Sequence, residues 1–344
     1  MKAIVMDRFG GPDVLRVQDK VRPEPGPSDV LVAVRACGVC RHDSLTRAGS
    51  FPKISLPLIL GHQITGIVES VGRDVTGLKR GQRVMSMVYE TCGKCEMCLS
   101  GSETHCRERP RFLGEDIDGG YAEFVVTNER TWLPLPDEMT FEAGAVVTCV
   151  LGSAFHAIVT RGRAVQGETA VVTGAGGGVG MHALQILRSG GIRAIAVTSS
   201  PEKGVALRNA GADEVVVIKD GRYAAEVKAL TSGVGADLVL EIAGGNGLLE
   251  SIHAVRPQGR VVVLGNVRGG TVDLPPAYLI LKEISLIGTK SISRHEMMTL
   301  LPRIARGILT PRVDRILRLE DAARAHKEMD EGDELGRTVL TVSS

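Results

Sequence analysis

Five short runs of continuously apolar residues, at 171–173, 195–197, 215–217, 238–240 and 261–264, recur after Gly167, separated by stretches long enough for a helix. Strands apolar at every position are those buried on both faces, and parallel neighbours need a crossover that a helix supplies. The pattern predicts an α/β region built on a doubly wound parallel sheet, its last strand at 284–287. Before Val150 the text differs: runs at 30–34, 66–71 and 121–126 are cut by Gly and Pro, which predicts a β-rich region of many turns. A helix at 296–307 and a closing strand at 337–342 have no core of their own and are expected to return to that first region. A chain of 344 residues is long enough for two cores. The expected domains are 1–150 with 288–344, and 151–287 as an insertion.

With a formal net charge of +1 and only 3% aromatic residues, the chain has neither the basic surface nor the stacking platforms of a nucleic-acid binder. The opening residues Met1 to Met6 form a short strand followed by Asp7 and Arg8, without the layout of a secretory signal. No apolar run is expected to approach the roughly 20 residues of a membrane span. The expected location is cytoplasmic, with no membrane partner.

Four of the seven cysteines, Cys92, Cys95, Cys98 and Cys106, stand with two, two and seven residues between them. Thiolates that close repel, and a tetrahedral divalent cation removes the repulsion while tying a loop that lacks a core, so a structural zinc site is expected. A disulfide pair is the alternative, which the odd cysteine count disfavours.

Thr173-Gly174-Ala175-Gly176-Gly177-Gly178-Val179-Gly180 follows a strand and opens a helix. Glycines there let the backbone approach a pyrophosphate, and the free amides at the helix start favour its charge, so Gly174, Gly177, Gly178, Val179 and Gly180 are assigned to a dinucleotide. Ala175 replaces the first glycine of the usual fingerprint. The second strand ends at Thr198-Ser199-Ser200, with Lys203 beyond and no acid to hold a ribose diol. Hydroxyls and a cation suit a 2′-phosphate, so NADP(H) is expected over NAD. A plain solvated lysine is the alternative reading of Lys203.

Cys37, Cys40, Arg41, His42 and Asp43, then His62 and Gln63, then Cys149, are each ambiguous alone. Cys37 and Cys40 can be a redox pair, His62 a satisfied core histidine and Cys149 a small hydrophobe. With the tetracysteine segment and the glycine-rich loop, however, they resemble the zinc-containing medium-chain dehydrogenase/reductase (alcohol dehydrogenase) family, in order and over the whole chain. The resemblance implies a GroES-like β-rich catalytic domain carrying an inserted Rossmann domain. It implies two Zn²⁺ per chain, one structural and one catalytic on Cys40, His62 and Cys149, a ligand set known for alcohol dehydrogenase and matched here from the resemblance. It further implies that Asp43 orients His62 and that Arg41 reaches the cofactor pyrophosphate.

Three positions depart from the family pattern. His42 stands where many members have a Ser or Thr hydroxyl, Leu45 where some have a histidine, and Gln63 where a Glu is usual. His42 is therefore the candidate proton donor. The segment 260–267, continuing to 279–283, is similar to acryloyl-CoA reductases. Two reactions are thus expected candidates: NADP(H)-linked interconversion of an alcohol with an aldehyde or ketone, and hydride addition to a C=C conjugated to a carbonyl. Specificity loops are expected around Phe51, Phe112 and Tyr278, and a homodimer or homotetramer joined at the 284–287 strand.

Overall fold

The computed structural model describes residues 1–108, 110–218, 220–266, 269–332 and 334–342. Val267, within the segment similar to acryloyl-CoA reductases, lies outside them. The chain divides into two compact units.

The first unit comprises Met1–Cys149, Ser293–Met298 and the tail from Pro311. Its main sheet runs Trp132–Pro134, Arg83–Ser86, Ile64–Val71, Asp29–Gly38, Thr338–Thr341, Arg315–Arg318, and Phe124–Asn128 also pairs with Asp29–Gly38. Val30, Val32 and Val34 fall on one face because strand side chains alternate, and they meet Ile4, Ile64, Val84, Trp132 and Leu340 in the core. Each such side chain contributes about 1.5–3 kcal/mol on burial. Tyr121, expected to open a strand, instead makes a crossing: its carbonyl accepts from Ile4 and its amide donates to Leu60. The strand starts at Phe124, and Tyr121 is left fully buried among the elements around His62.

The second unit is Val150–Ile292 with Thr299–Thr310. Six parallel strands lie in the order Glu214–Val217, Arg193–Thr198, Thr169–Val172, Ala236–Glu241, Val255–Val263, Ser285–Gly288. In chain order this is 3-2-1-4-5-6, the doubly wound Rossmann arrangement, whose ligand crevice opens where the order reverses. Val171, Ile195, Val239 and Val261 are buried on one face, and Val172, Ala196, Leu240 and Val262 on the other. Burial on both faces is why these runs are apolar apart from Thr173, whose hydroxyl bonds backbone at the end of its strand.

Two expectations are corrected. The residues after 288 do not return as one block to the first unit, because 299–310 cluster with the second. Leu300 and Leu309 are buried there, and Thr310 N donates to Gln185 Oε1 at 3.1 Å. Among the described residues there is also one helical run of membrane-spanning length, Phe141–Arg161, with 21 residues and a mean hydropathy of 1.7 over its apolar window. Thr140, Gly144, Thr148 and Ser153 disguise it in the sequence. Of its apolar window 72% is buried inside the protein, as in a core helix.

Candidate active site and metal centres

Cys40 follows the strand Asp29–Gly38 and stands at the N-terminus of the helix Arg41–Arg47. His62 precedes the strand Ile64–Val71, next to Gly61, whose φ of +99° and the Tyr121 ring 2.5 Å from a would-be Cβ leave room for glycine alone. Cys149 sits in a π-helical turn, Val147–Leu151, a wider coil that recurs at functional sites. These residues lie far apart in sequence, yet their sulfur and nitrogen donor atoms all come within 4.8 Å of one another. His62 Nε2 is 3.4 Å from Cys149 Sγ.

The electrostatics suit a cation. A hydrogen bond from Cys149, with help from Arg337 and His62, pulls the Cys40 thiol well below its ordinary range against the opposing effect of burial. Burial works against charge on His62 too, but Asp43 and Cys40 raise it to about 10. A zinc ion bound there would take the place of the protons on His62 and on Cys149, whose thiol the neighbouring Cys40 and burial hold protonated, and two thiolates would then balance its charge. Two sulfurs and one imidazole leave a fourth tetrahedral position open, the donor chemistry of a catalytic zinc.

Asp43, 1% exposed, braces the histidine. Its Oδ1 lies 2.9 Å from His62 Nδ1, and its Oδ2 accepts from Cys40 N at 3.0 Å and from Tyr121 Oη at 3.2 Å. A carboxylate on the far nitrogen selects the tautomer that presents Nε2 to a metal. Gln63 is fully buried, and neither polar atom of its amide has a hydrogen-bond partner.

His42 is placed where the sequence could not show it. Its ring stacks on Phe51 at 4.7 Å, meets Phe112 at 4.4 Å and stands nearly perpendicular to the His62 ring at 5.6 Å. Its Nε2 lies 2.7 Å from Glu115 Oε2, a partner with no signal in the sequence. Phe51 and Phe112 therefore share this site, whereas Tyr278 packs on His253 in the second unit. Arg41 pairs with Asp330 at 3.0 Å and donates to the Met329 carbonyl.

Cys92, Cys95, Cys98 and Cys106 form the second cluster, again with sulfurs within 4.8 Å. All seven cysteines are free thiols. Backbone amides point into the cluster, Cys95 N to Cys92 Sγ and Arg107 N to Cys95 Sγ, both at 3.4 Å. The amides of Arg107 and Cys98 pull Cys95 down to about 6, whereas burial pushes Cys98 up to about 12. The preformed amide cradle fits four thiolates around one ion.

In the second unit Gly174 has φ +58°, Gly177 caps the helix Gly178–Ser189, and Val179 lies in its first turn. A Cβ on Gly180 would stand 2.5 Å from Ala175 Cα, so this glycine lets helix and loop touch. Thr198 is buried and its Oγ1 accepts from Ser200 N at 3.1 Å, while Ser199 is exposed and Lys203 half-buried. Sequence reasoning missed Glu241 at the end of its strand. It is fully buried, accepts from Gly244 N at 2.8 Å and from Ser251, and so shapes the neighbouring turn of the crevice.

Residues 26–137 match the family described as alcohol dehydrogenase GroES-like domain, and residues 178–306 match zinc-binding dehydrogenase. The chain is 32% identical to an acryloyl-coenzyme A reductase of Metallosphaera sedula over 99% of its length and 100% of that protein. It is 33% identical to an alcohol dehydrogenase of Geobacillus stearothermophilus, with 99% and 100% covered. A solved NAD-dependent alcohol dehydrogenase superposes with a TM-score of 0.93 at 35% identity, covering both chains completely.

Proposed function

From the premise that this chain is an oxidoreductase of the medium-chain dehydrogenase/reductase family, we propose that it interconverts an alcohol with an aldehyde or ketone at a zinc held by Cys40, His62 and Cys149, using NADP(H). One observation carries the reading: three donor atoms from distant segments converge, with a buried carboxylate behind the imidazole. Zinc bound there supplies Lewis-acid polarisation of a substrate oxygen. Cys40 and Cys149 offset its charge, and Asp43 holds the His62 ring. Phe51 and Phe112 pack against the His42 ring and fix its position beside Glu115. His42, hydrogen-bonded to Glu115, is the group that hands a proton to the substrate oxygen.

The second zinc, on Cys92, Cys95, Cys98 and Cys106, is structural. Gly174, Gly177, Gly178, Val179 and Gly180 receive the pyrophosphate, and Ser199, Ser200 and Lys203 the 2′-phosphate. We assign the protein to the cytoplasm as a homodimer or homotetramer joined at Ser285–Gly288, which light scattering after size exclusion will test.

A second reading has its own support, the full-length likeness to an acryloyl-coenzyme A reductase. In it hydride goes to the β-carbon of a conjugated carbonyl compound and His42 protonates the enolate so formed, giving the saturated carbonyl product. Incubation with NADPH and a small α,β-unsaturated aldehyde separates the two. Allylic alcohol supports carbonyl chemistry; saturated aldehyde makes the enoyl reductase reading primary.

A further inference from the structure

Behind Asp43 a line of buried polar groups leads away from the candidate metal centre. Tyr121 Oη lies 3.2 Å from Asp43 Oδ2 and 3.1 Å from His326 Nε2, and His326 Nδ1 lies 2.9 Å from Arg47 Nη1. Arg47 Nη2 then donates to Asp330 Oδ2 at 2.6 Å, and Ser44 Oγ donates to Asp330 Oδ1 at 2.7 Å. Tyr121 and His326 are fully buried and Arg47 is 4% exposed.

The proton positions along this line follow from donor chemistry. A guanidinium can only donate, so His326 Nδ1 must accept. Burial, reinforced by Arg47 and opposed by Asp43 and Asp330, pushes His326 down to about 4, so the ring is neutral and its single proton sits on Nε2. That proton goes to the Tyr121 oxygen. Burial and Asp43 keep the phenol protonated, and its hydrogen turns to Asp43 Oδ2. The other carboxylate oxygen lies 2.9 Å from His62 Nδ1 and accepts from it, which leaves Nε2 as the nitrogen turned to Cys149 and to a metal.

We propose that Arg47, His326 and Tyr121 form a one-way hydrogen-bond line that sets the tautomer of His62 through Asp43, and are positioning residues of the metal centre. The inference rests on reading Cys40, His62 and Cys149 as a zinc site. Every element of the line comes from the first unit: the helix Arg41–Arg47, the crossing at Tyr121 and the helix Ala322–Glu331. A hydrophobic side chain in place of any link leaves a buried donor or acceptor unmatched, whereas an amide of the right polarity does not.

The test uses the zinc-loaded full chain and follows zinc release to a chromogenic chelator. The parent should hold two equivalents. In Tyr121→Phe and His326→Leu one equivalent should be held 10–100-fold more weakly, the span expected for groups behind a metal ligand. The other equivalent should be unchanged. His326→Gln should keep the parental affinity, because its oxygen can accept from Arg47 and its NH₂ can donate to Tyr121. Parental release from both Tyr121→Phe and His326→Leu overturns the line, as does a Gln variant as leaky as the Leu one. Should His326→Leu fail to fold, Tyr121→Phe decides alone. A single equivalent in the parent overturns the metal reading and the line with it; two in the parent with unaltered variants overturns the line only.

Discussion

Lys203 lies across Gly176: a Cβ built on that glycine would stand 2.8 Å from Lys203 Cδ and 3.8 Å from Nζ. The lysine thereby lies against the glycine-rich loop proposed above to receive the pyrophosphate. A charged hydrogen bond is worth about 1.5–3 kcal/mol, or roughly 10–100-fold. Lys203→Ala should lower kcat/KM for NADPH by about that factor and leave NADH nearly untouched. Equal losses for both cofactors would assign the lysine to loop packing.

Each cysteine cluster should govern its own metal. Cys149→Ala should reduce zinc from two equivalents to one and abolish turnover while NADPH still binds, as read by metal analysis and cofactor fluorescence. Cys98→Ser should lose the other equivalent and open 92–106 to protease. Retained turnover in Cys149→Ala would falsify the catalytic assignment.

Gly180→Ala places a methyl group 2.5 Å from Ala175 Cα. Backbone must shift, at a cost of about 1–3 kcal/mol by analogy with overpacked cores. The melting temperature should fall, and the affinity for either dinucleotide should fall with it because the helix start moves. An unchanged dissociation constant would separate this glycine from the phosphate site.

His326 makes stability depend on acid. Its folded value is about 4 against 6.5 when free, so between those limits the unfolded chain binds a proton that the folded chain does not. Stability is complete above pH 6.5 and declines as the pH falls toward 4, by on the order of 3 kcal/mol at most. His326→Gln should flatten the melting temperature over this window. An identical slope in parent and variant would show that other groups dominate.

The second unit was legible because its physics is local. Val171, Ile195 and Val261 sit in runs that only a doubly covered sheet explains, and the glycine-rich loop marks where a helix begins. The four cysteines from Cys92 to Cys106 announce themselves by their spacing, whereas Cys40, His62 and Cys149 were legible only through resemblance, since nothing in their spacing says that they converge. What escaped was what depends on the partner across space. Glu115 is an ordinary surface acid until it meets His42, and Tyr121 reads as a strand residue until Gly61 lets its ring in. Hydrophobic periodicity also hid the long helix, because π turns at Val147–Leu151 and His156–Arg161 shift its period.

The strand Thr338–Thr341 lies beside Asp29–Gly38, with Leu340 opposite Cys37, and Arg337 donates to the carbonyl of Val39, 298 residues earlier. During translation at about 5–20 residues per second, that interval lasts roughly 15–60 s. Throughout it the second unit can close its contiguous sheet, while the first remains open along one edge of Asp29–Gly38, the strand that leads to Cys40. If the proposed zinc site is right, its loading is a late event of biogenesis, because the edge beside Cys37 and the carbonyl of Val39 wait for the tail.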